Sequence, residues 1–301
     1  MLARLADMPV EKGTAEELGP ARARRRARAI WADFWSGDPP AVDRVVDCAV
    51  PTSEGEVPVR LYDPASDRRR PLVYVHGGGF VVGDLDTHDV MPRHLALYSG
   101  RPVISVGYRL APEFPYPTPV LDIVATVEAI AANMAGLDID GAGLTLAGDS
   151  AGASLALSAA LRLRGTPAAP SALLLFFGCY DPGGALASRS AHANGYGLAA
   201  SDIRWFWRQY LGDQLDRPPP DVAPLEADLR GLPPVYLGVG DCDPLRADTE
   251  MLAARLRESG AAPLLRIWPG MIHGCVGMVR MVNEAHAQLA DAAVWIANSR
   301  P

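Results

Sequence analysis

The sequence predicts an α/β protein built on a mostly parallel sheet, with helices on both faces. Two observations carry that class. Short, continuously apolar runs alternate with longer amphipathic runs, the pattern of strand–helix units whose strands are buried on both sides. A G-x-S-x-G sequence, Gly148-Asp149-Ser150-Ala151-Gly152, also lies where an apolar run ends and an amphipathic run begins.

Residues 1–35 read as helical, with Ile30, Trp31, Phe34 and Trp35 at helical spacing and Gly37 as a stop. The β pattern begins at Val42. Residues 42–50 (VDRVVDCAV) and 57–64 (VPVRLYDP), separated by PTSEGE, predict an antiparallel hairpin. Strands follow at 71–76 and 101–108, then a helix at 119–133. Next come a strand at 143–148, a helix at 151–164, and strands at 172–177 and 234–240. A helix at 246–260, a strand at 263–268 and a last helix after Gly277 complete the series. Residues 181–217 interrupt it and contain a helix with Ser201 as its predicted N-cap. On that helix Ile203, Phe206, Trp207, Tyr210 and Leu211 share one apolar face, which reads as core. Trp205 falls off that face, and its reading stays open between core and pocket wall.

Composition narrows the function classes. The formal net charge of −7 argues against nucleic acid as a partner. The basic cluster at 21–28 (ARARRRAR) reads as a solvated helix face, with a docking patch as the lesser alternative. The longest apolar run, residues 171–177, is too short to span a bilayer, so no membrane association is expected. The N-terminus lacks the sustained apolar core of a secretory signal. Cys48, Cys179, Cys242 and Cys275 form no CxxC pair, and no His/Cys cluster has zinc spacing. Free thiols in a reducing cytoplasm, with no metal and no cofactor, are the expectation.

Ser150 is the candidate nucleophile, because a tight strand-to-helix turn would present its hydroxyl at the carboxyl end of the sheet. A serine hydroxyl needs a base. Downstream lie only His192, His273 and His286. His192 is in the interrupting segment and His286 is mid-helix; His273, in the loop WPGMIHGC directly after a strand, is the favoured base. The acid should follow the preceding strand, where VGDCDPLRAD offers Asp241, Asp243 and Asp248. Asp248 suits a cap or a surface role and Asp241 may only brace the loop. Asp243, within the loop itself, is favoured. The run Gly77-Gly78-Gly79 follows the strand at 71–76 and belongs at the same sheet edge as Ser150. Backbone amides of Gly77 and Gly78, with that of Ala151, are therefore the expected donors to a developing oxyanion.

HGGGF (76–80), YRLAPEFPYP (108–117), GDSAG (148–152), DPL (243–245) and HG (273–274) together resemble the hormone-sensitive-lipase-like branch (bacterial family IV) of the α/β-hydrolases. The resemblance runs from about Val42 onward and includes IRWFWRQYL (203–211). It implies a carboxylesterase acting on short and medium acyl chains through Ser150, Asp243 and His273, without a cofactor. It also implies a helical cap made of an N-terminal segment, 1–41, and an insertion at about 181–217 in a catalytic domain spanning 42–301. Phe80, Trp205 and Cys275 are the expected substrate contacts, and Glu113 of YRLAPE is expected to brace the site. Two positions depart from the family pattern: Ala153 replaces a usual glycine, and Cys275 a usual phenylalanine, which opens space near the base. The same machinery turned on an amide of a small natural product, or a non-catalytic binding protein on this scaffold, are the alternatives. The segment 263–268 is a candidate homodimer edge.

Overall fold

A computed structural model describes residues 10–65, 70–133, 136–184 and 186–299. Its centre is one eight-stranded sheet. The predicted hairpin is present as β1 (Arg44–Thr52) and β2 (Gly55–Asp63), in antiparallel register with Cys48 opposite Val59. The other strands are β3 (Leu72–Val75), β4 (Val103–Val106), β5 (Thr145–Asp149), β6 (Ala172–Phe176), β7 (Val235–Gly240) and β8 (Leu264–Trp268). They lie in the order β1-β2-β4-β3-β5-β6-β7-β8, antiparallel through the β2–β4 pair and parallel thereafter.

Every residue of β3 through β7 is buried, which is why these strands read as continuous apolar runs. Alternate side chains serve two cores. Val73 and Val75 join the core that contains Val120, Ile123, Leu155 and Leu252, from α3 (Thr118–Ala131), α4 (Ala151–Leu163) and α7 (Arg246–Glu258). Leu72 and Tyr74 join the opposite core, with Met91 and Leu95 from α2 (Val90–Ser99) and Leu289 and Ile296 from α8 (Asn283–Asn298). The helix α2 is an addition to the sequence reading. β8 forms one of the sheet's two edges, opposite β1, and is covered only in part, with Ile267 38% exposed.

The N-terminal segment departs from the expected single helix; its first nine positions lie outside the described residues. α1 (Ala15–Ile30) opens with a reciprocal cap: Thr14 Oγ1 accepts from Glu17 N–H at 3.2 Å, and Glu17 Oε2 accepts from Thr14 N–H at 2.7 Å. Gly19, at φ 69°, breaks the helix just before Pro20, where helical backbone is disfavoured. The chain then widens into a single π-helical turn at Trp31–Trp35, where Ser36 N–H donates to Trp31 O.

The basic cluster is not simply a solvated face. Arg24 donates to the carbonyls of Val81 at 2.8 Å and Ala111 at 3.0 Å, and pairs with Glu113 at 2.6 Å. Arg28 pairs with Asp86 at 3.1 Å. These arginines dock α1 onto the loop after the glycine run, and Glu113 meets α1 through its exposed pair with Arg24. The second covering segment contributes α5 (Ala187–Ala191) and α6 (Ala200–Leu211). Ser201 lies inside α6, whose N-cap is Ala199. The two segments meet where Ala15 N–H donates to Asp202 Oδ1 at 2.7 Å.

Asp248 is neither a cap nor a surface residue. It is fully buried and pairs at 2.6 Å with Arg189 of α5, itself 5% exposed. Its Oδ1 also accepts from the N–H groups of Tyr180 at 2.9 Å and Asp181 at 3.0 Å. Burial pushes the Asp248 carboxyl up to about 6, against the pull of the guanidinium and the two amides. Removing one partner of a buried pair strands the other charge, which costs about 3–5 kcal/mol. Asp248→Ala is therefore expected to lower the unfolding free energy by about that amount in urea titrations. A loss below about 1 kcal/mol, the value of an exposed pair, would mean the clasp is not what fixes α5.

Candidate active site

The turn at Ser150 is built by its neighbours. Ser150 takes φ 50° and ψ −123°, a strained conformation for a residue with a side chain. It is held by the bond from its N–H to Phe176 O at 2.9 Å. Close packing explains both flanking glycines. A Cβ on Gly152 would lie 2.1 Å from Val75 O, and one on Gly148 would lie 2.5 Å from Gly152 O. Ala153, the departure from the family pattern, is accommodated with its methyl fully buried in the core that α3, α4 and α7 share.

Ser150 Oγ lies 3.0 Å from His273 Nε2. On the other side of the ring, His273 Nδ1 lies 3.1 and 3.0 Å from the two carboxylate oxygens of Asp243. Asp243 is fully buried, and its Oδ1 also accepts from Leu245 N–H at 2.7 Å. A buried carboxylate there fixes the imidazole with Nδ1 protonated and Nε2 free to accept the serine proton. The competing residues have other partners. Asp241 Oδ1 accepts from Gly270 N–H at 2.7 Å and braces the loop. His286 bridges Tyr98 and the carbonyl of Val279, each at 3.0 Å. His192 packs against Tyr196.

The expected oxyanion donors need one correction. Gly77 N–H is committed to Asp149 Oδ1 at 2.9 Å, and Gly77 does not line the chamber in front of Ser150. Gly78, Gly79 and Ala151 do line it. Among the described residues the N–H groups of Gly78 and Gly79 have no hydrogen-bond partner. Both need glycine, at φ 116° and 58°. A Cβ on Gly78 would strike Val82 O at 2.0 Å, and one on Gly79 the Phe206 ring at 2.1 Å.

The chamber has a free volume of about 90 Å³. Phe80 lines it, as expected. Trp205 does not. It is 5% exposed and packs into the core, while Phe206 and Trp207 face the chamber. α6 lines the chamber through Ile203, Phe206 and Trp207 and also touches α1, through Asp202 and Arg208, so more than one of its sides is covered. Cys275 is also displaced from its expected role. It is fully buried, with Sγ 3.3 Å from the Gln288 side chain, and Gly274 and Gly277 line the chamber there. Trp31 and Trp35 close the side formed by the N-terminal segment. Cys179 and His88 are among the lining residues that the sequence reading did not assign to the site. Cys179 receives the indole N–H of Trp207 at 3.0 Å, and burial raises its thiol to about 12. His88 borders the chamber beside Asp149. Burial lowers both His88 and His76 to about 4, and raises the carboxyl of Asp149.

Among the described residues no group of three or more His, Cys, Asp or Glu side chains is placed to hold a metal ion. Among the same residues no helix is long and apolar enough to cross a membrane.

Known proteins with the same features are informative once this geometry is in view. A family model described as an alpha/beta hydrolase fold matches residues 72–277. An acetyl esterase of Salmonella agona is 33% identical over 279 residues, 91% of this chain and 86% of that protein. The structure of a hyperthermophilic esterase from the archaeon Pyrobaculum calidifontis superposes with a TM-score of 0.89 at 31% identity, covering 98% of this chain and 95% of that one. A thermophilic and thermostable carboxylesterase cloned from a metagenomic library superposes with a TM-score of 0.87 at 31% identity, covering 94% and 98%.

Proposed function

The chain belongs to the α/β-hydrolase family, in its hormone-sensitive-lipase-like branch, and from that premise we propose that Ser150, His273 and Asp243 are its catalytic triad. It is a serine hydrolase of carboxylic esters. The observation that carries the residue assignment is the unbroken relay Ser150 Oγ–His273 Nε2, His273 Nδ1–Asp243, with 3.0 Å at each step.

Ser150 Oγ attacks the ester carbonyl while His273 Nε2 takes its proton. The carbonyl oxygen becomes an anion facing the amides of Gly78, Gly79 and Ala151. Asp243 stays ionised and stabilises the imidazolium. The imidazolium then protonates the departing alcohol, leaving an acyl ester on Ser150. Water, activated by the same imidazole, releases the acid and restores the hydroxyl. A fluorophosphonate should label Ser150, read by mass spectrometry of the digested protein; labelling at another serine would remove the assignment.

The small chamber favours acetyl and other short acyl groups, and the acetyl esterase relatives point the same way. Two segments form the cap: the N-terminal stretch to residue 41, and roughly 181–217. Trp31 and Trp35 on one side and Phe206 and Trp207 on the other wall the site. Deleting residues 1–35 should leave the sheet folded but remove one wall. We expect the preference among 4-nitrophenyl esters from acetate to octanoate to shift toward longer chains. An unchanged profile in a folded, soluble truncation would refute this role for the segment. The exposed edge of β8 is the proposed seam of a homodimer. The four free cysteines fit a reducing cytoplasm, the proposed location.

A further inference from the structure

Most of the chamber wall is apolar, but one corner carries acceptors. His88 Nε2 and Asp149 Oδ2 lie 3.8 Å apart, too far for a hydrogen bond to each other. Both side chains are more than nine-tenths buried, and both line the chamber. Asp149 Oδ1 is already occupied, by Tyr74 O–H at 2.6 Å and Gly77 N–H at 2.9 Å. Oδ2 and His88 Nε2 have no hydrogen bond among the described residues.

The proton on His88 can be placed from its other nitrogen. Thr87 Oγ1 accepts from Asp84 N–H at 2.7 Å and donates to Asp84 O at 3.0 Å. Its remaining lone pair faces His88 Nδ1 at 3.1 Å, so Nδ1 carries the hydrogen and donates. Nε2 is then an acceptor beside a carboxylate oxygen. An oxygen set off the line between them reaches either at ordinary hydrogen-bond length. The Trp31 ring meets His88 edge-on at 5.2 Å and confines this corner.

We propose that His88 and Asp149 form a receptor for a hydroxyl group carried by the ester substrate. The corner takes a donor and turns away an ether or carbonyl oxygen. A hydroxyl fits it better than an ammonium, whose desolvation among the surrounding aromatic walls is far more costly. The natural substrates are then hydroxylated esters, with the hydroxyl close to the scissile bond because Asp149 adjoins Ser150. His88 is a specificity residue. This inference rests on the ester-hydrolase reading above.

Paired esters differing only in OH against CH3 provide the test. In the acyl arm, methyl glycolate is compared with methyl propionate; in the alcohol arm, 2-hydroxyethyl acetate with propyl acetate. Each kcat/KM is divided by the hydroxide-catalysed rate constant of the same ester, which removes intrinsic reactivity. The wild-type enzyme should prefer the hydroxylated member about tenfold in one arm, the worth of one net hydrogen bond. The arm that responds identifies which side of the ester enters the corner. The preference should vanish in His88→Phe and survive in part in His88→Gln, whose amide oxygen still accepts. If His88→Phe fails to fold, the wild-type ratio and His88→Gln still decide. Equal rates within both wild-type pairs, as when water alone uses the corner, would overturn the proposal. So would a preference untouched by His88→Phe. Absence of hydrolysis in all four esters would instead strike the ester-hydrolase reading.

Discussion

Ser150→Ala and His273→Ala are each expected to lower kcat by several orders of magnitude, on the order of 10⁵. The 3.0 Å contact between Oγ and Nε2 makes the two residues one functional unit. Removing the second partner should therefore add little. The double variant is expected to retain about the turnover of either single one, the residue coming from the chamber and the oxyanion amides. Thermal melts should separate lost chemistry from lost fold. Neither side chain is a major part of either core, so both variants should melt near the wild type. Turnover by Ser150→Ala above about one per cent of wild type would contradict the nucleophile assignment, as would single losses that multiply in the double variant.

Asp243→Asn should be nearly as damaging, with kcat falling about 10⁴-fold. An asparagine fits the same space but turns an N–H toward His273 Nδ1. The ring must then accept there, which puts its proton on Nε2, facing Ser150. It can no longer take the serine proton. Asp241→Asn is the control. Its side-chain oxygen can still accept from Gly270 N–H, now at 2.7 Å, and no atom of the relay changes. Measured kcat values for the two variants decide between the carboxylates. A mild Asp243→Asn beside a severe Asp241→Asn would reverse the assignment of the acid.

Features set by local chemistry could be read from the sequence. Strands β3 to β7 were visible because both of their faces are covered and they read as short apolar runs, and the β1–β2 hairpin because two β-rich runs flank a polar turn. Ser150, His273 and Asp243, which the fold brings within hydrogen-bond reach of one another, could be singled out because strand ends and tight turns leave few residues free to serve as a proposed nucleophile, base and acid. What stayed hidden depends on partners far along the chain. Gly77 was expected to face the oxyanion because nothing nearby marks its N–H as taken; the acceptor is Asp149, 72 residues later. Arg24 looked solvated because two of its partners are main-chain carbonyls of Val81 and Ala111, which leave no trace in composition. Asp248 looked like a helix-end residue because its counterion, Arg189, belongs to the interrupting segment. Trp205 was misplaced because α6 is covered on more than one side. The helix α2 was missed because Pro92, Arg93 and His94 interrupt its apolar pattern.

The bond between Asp149 and Gly77 bears on alignment under thermal motion. Asp149 is the residue before the serine, and Gly77 the residue before Gly78. One side-chain hydrogen bond and two short pieces of backbone thus link Ser150, the proposed attacking residue, to the amides proposed to receive the charge. Tyr74, from the neighbouring strand β3, grips the same carboxylate oxygen. When the carboxyl end of the sheet shifts, serine and amides shift together. What matters to the reaction is their relative displacement, and this tether suppresses that component while leaving the common one free. Breathing of the sheet, or loosening of the aromatic walls above it, can alter which molecules enter without detuning the atoms that react.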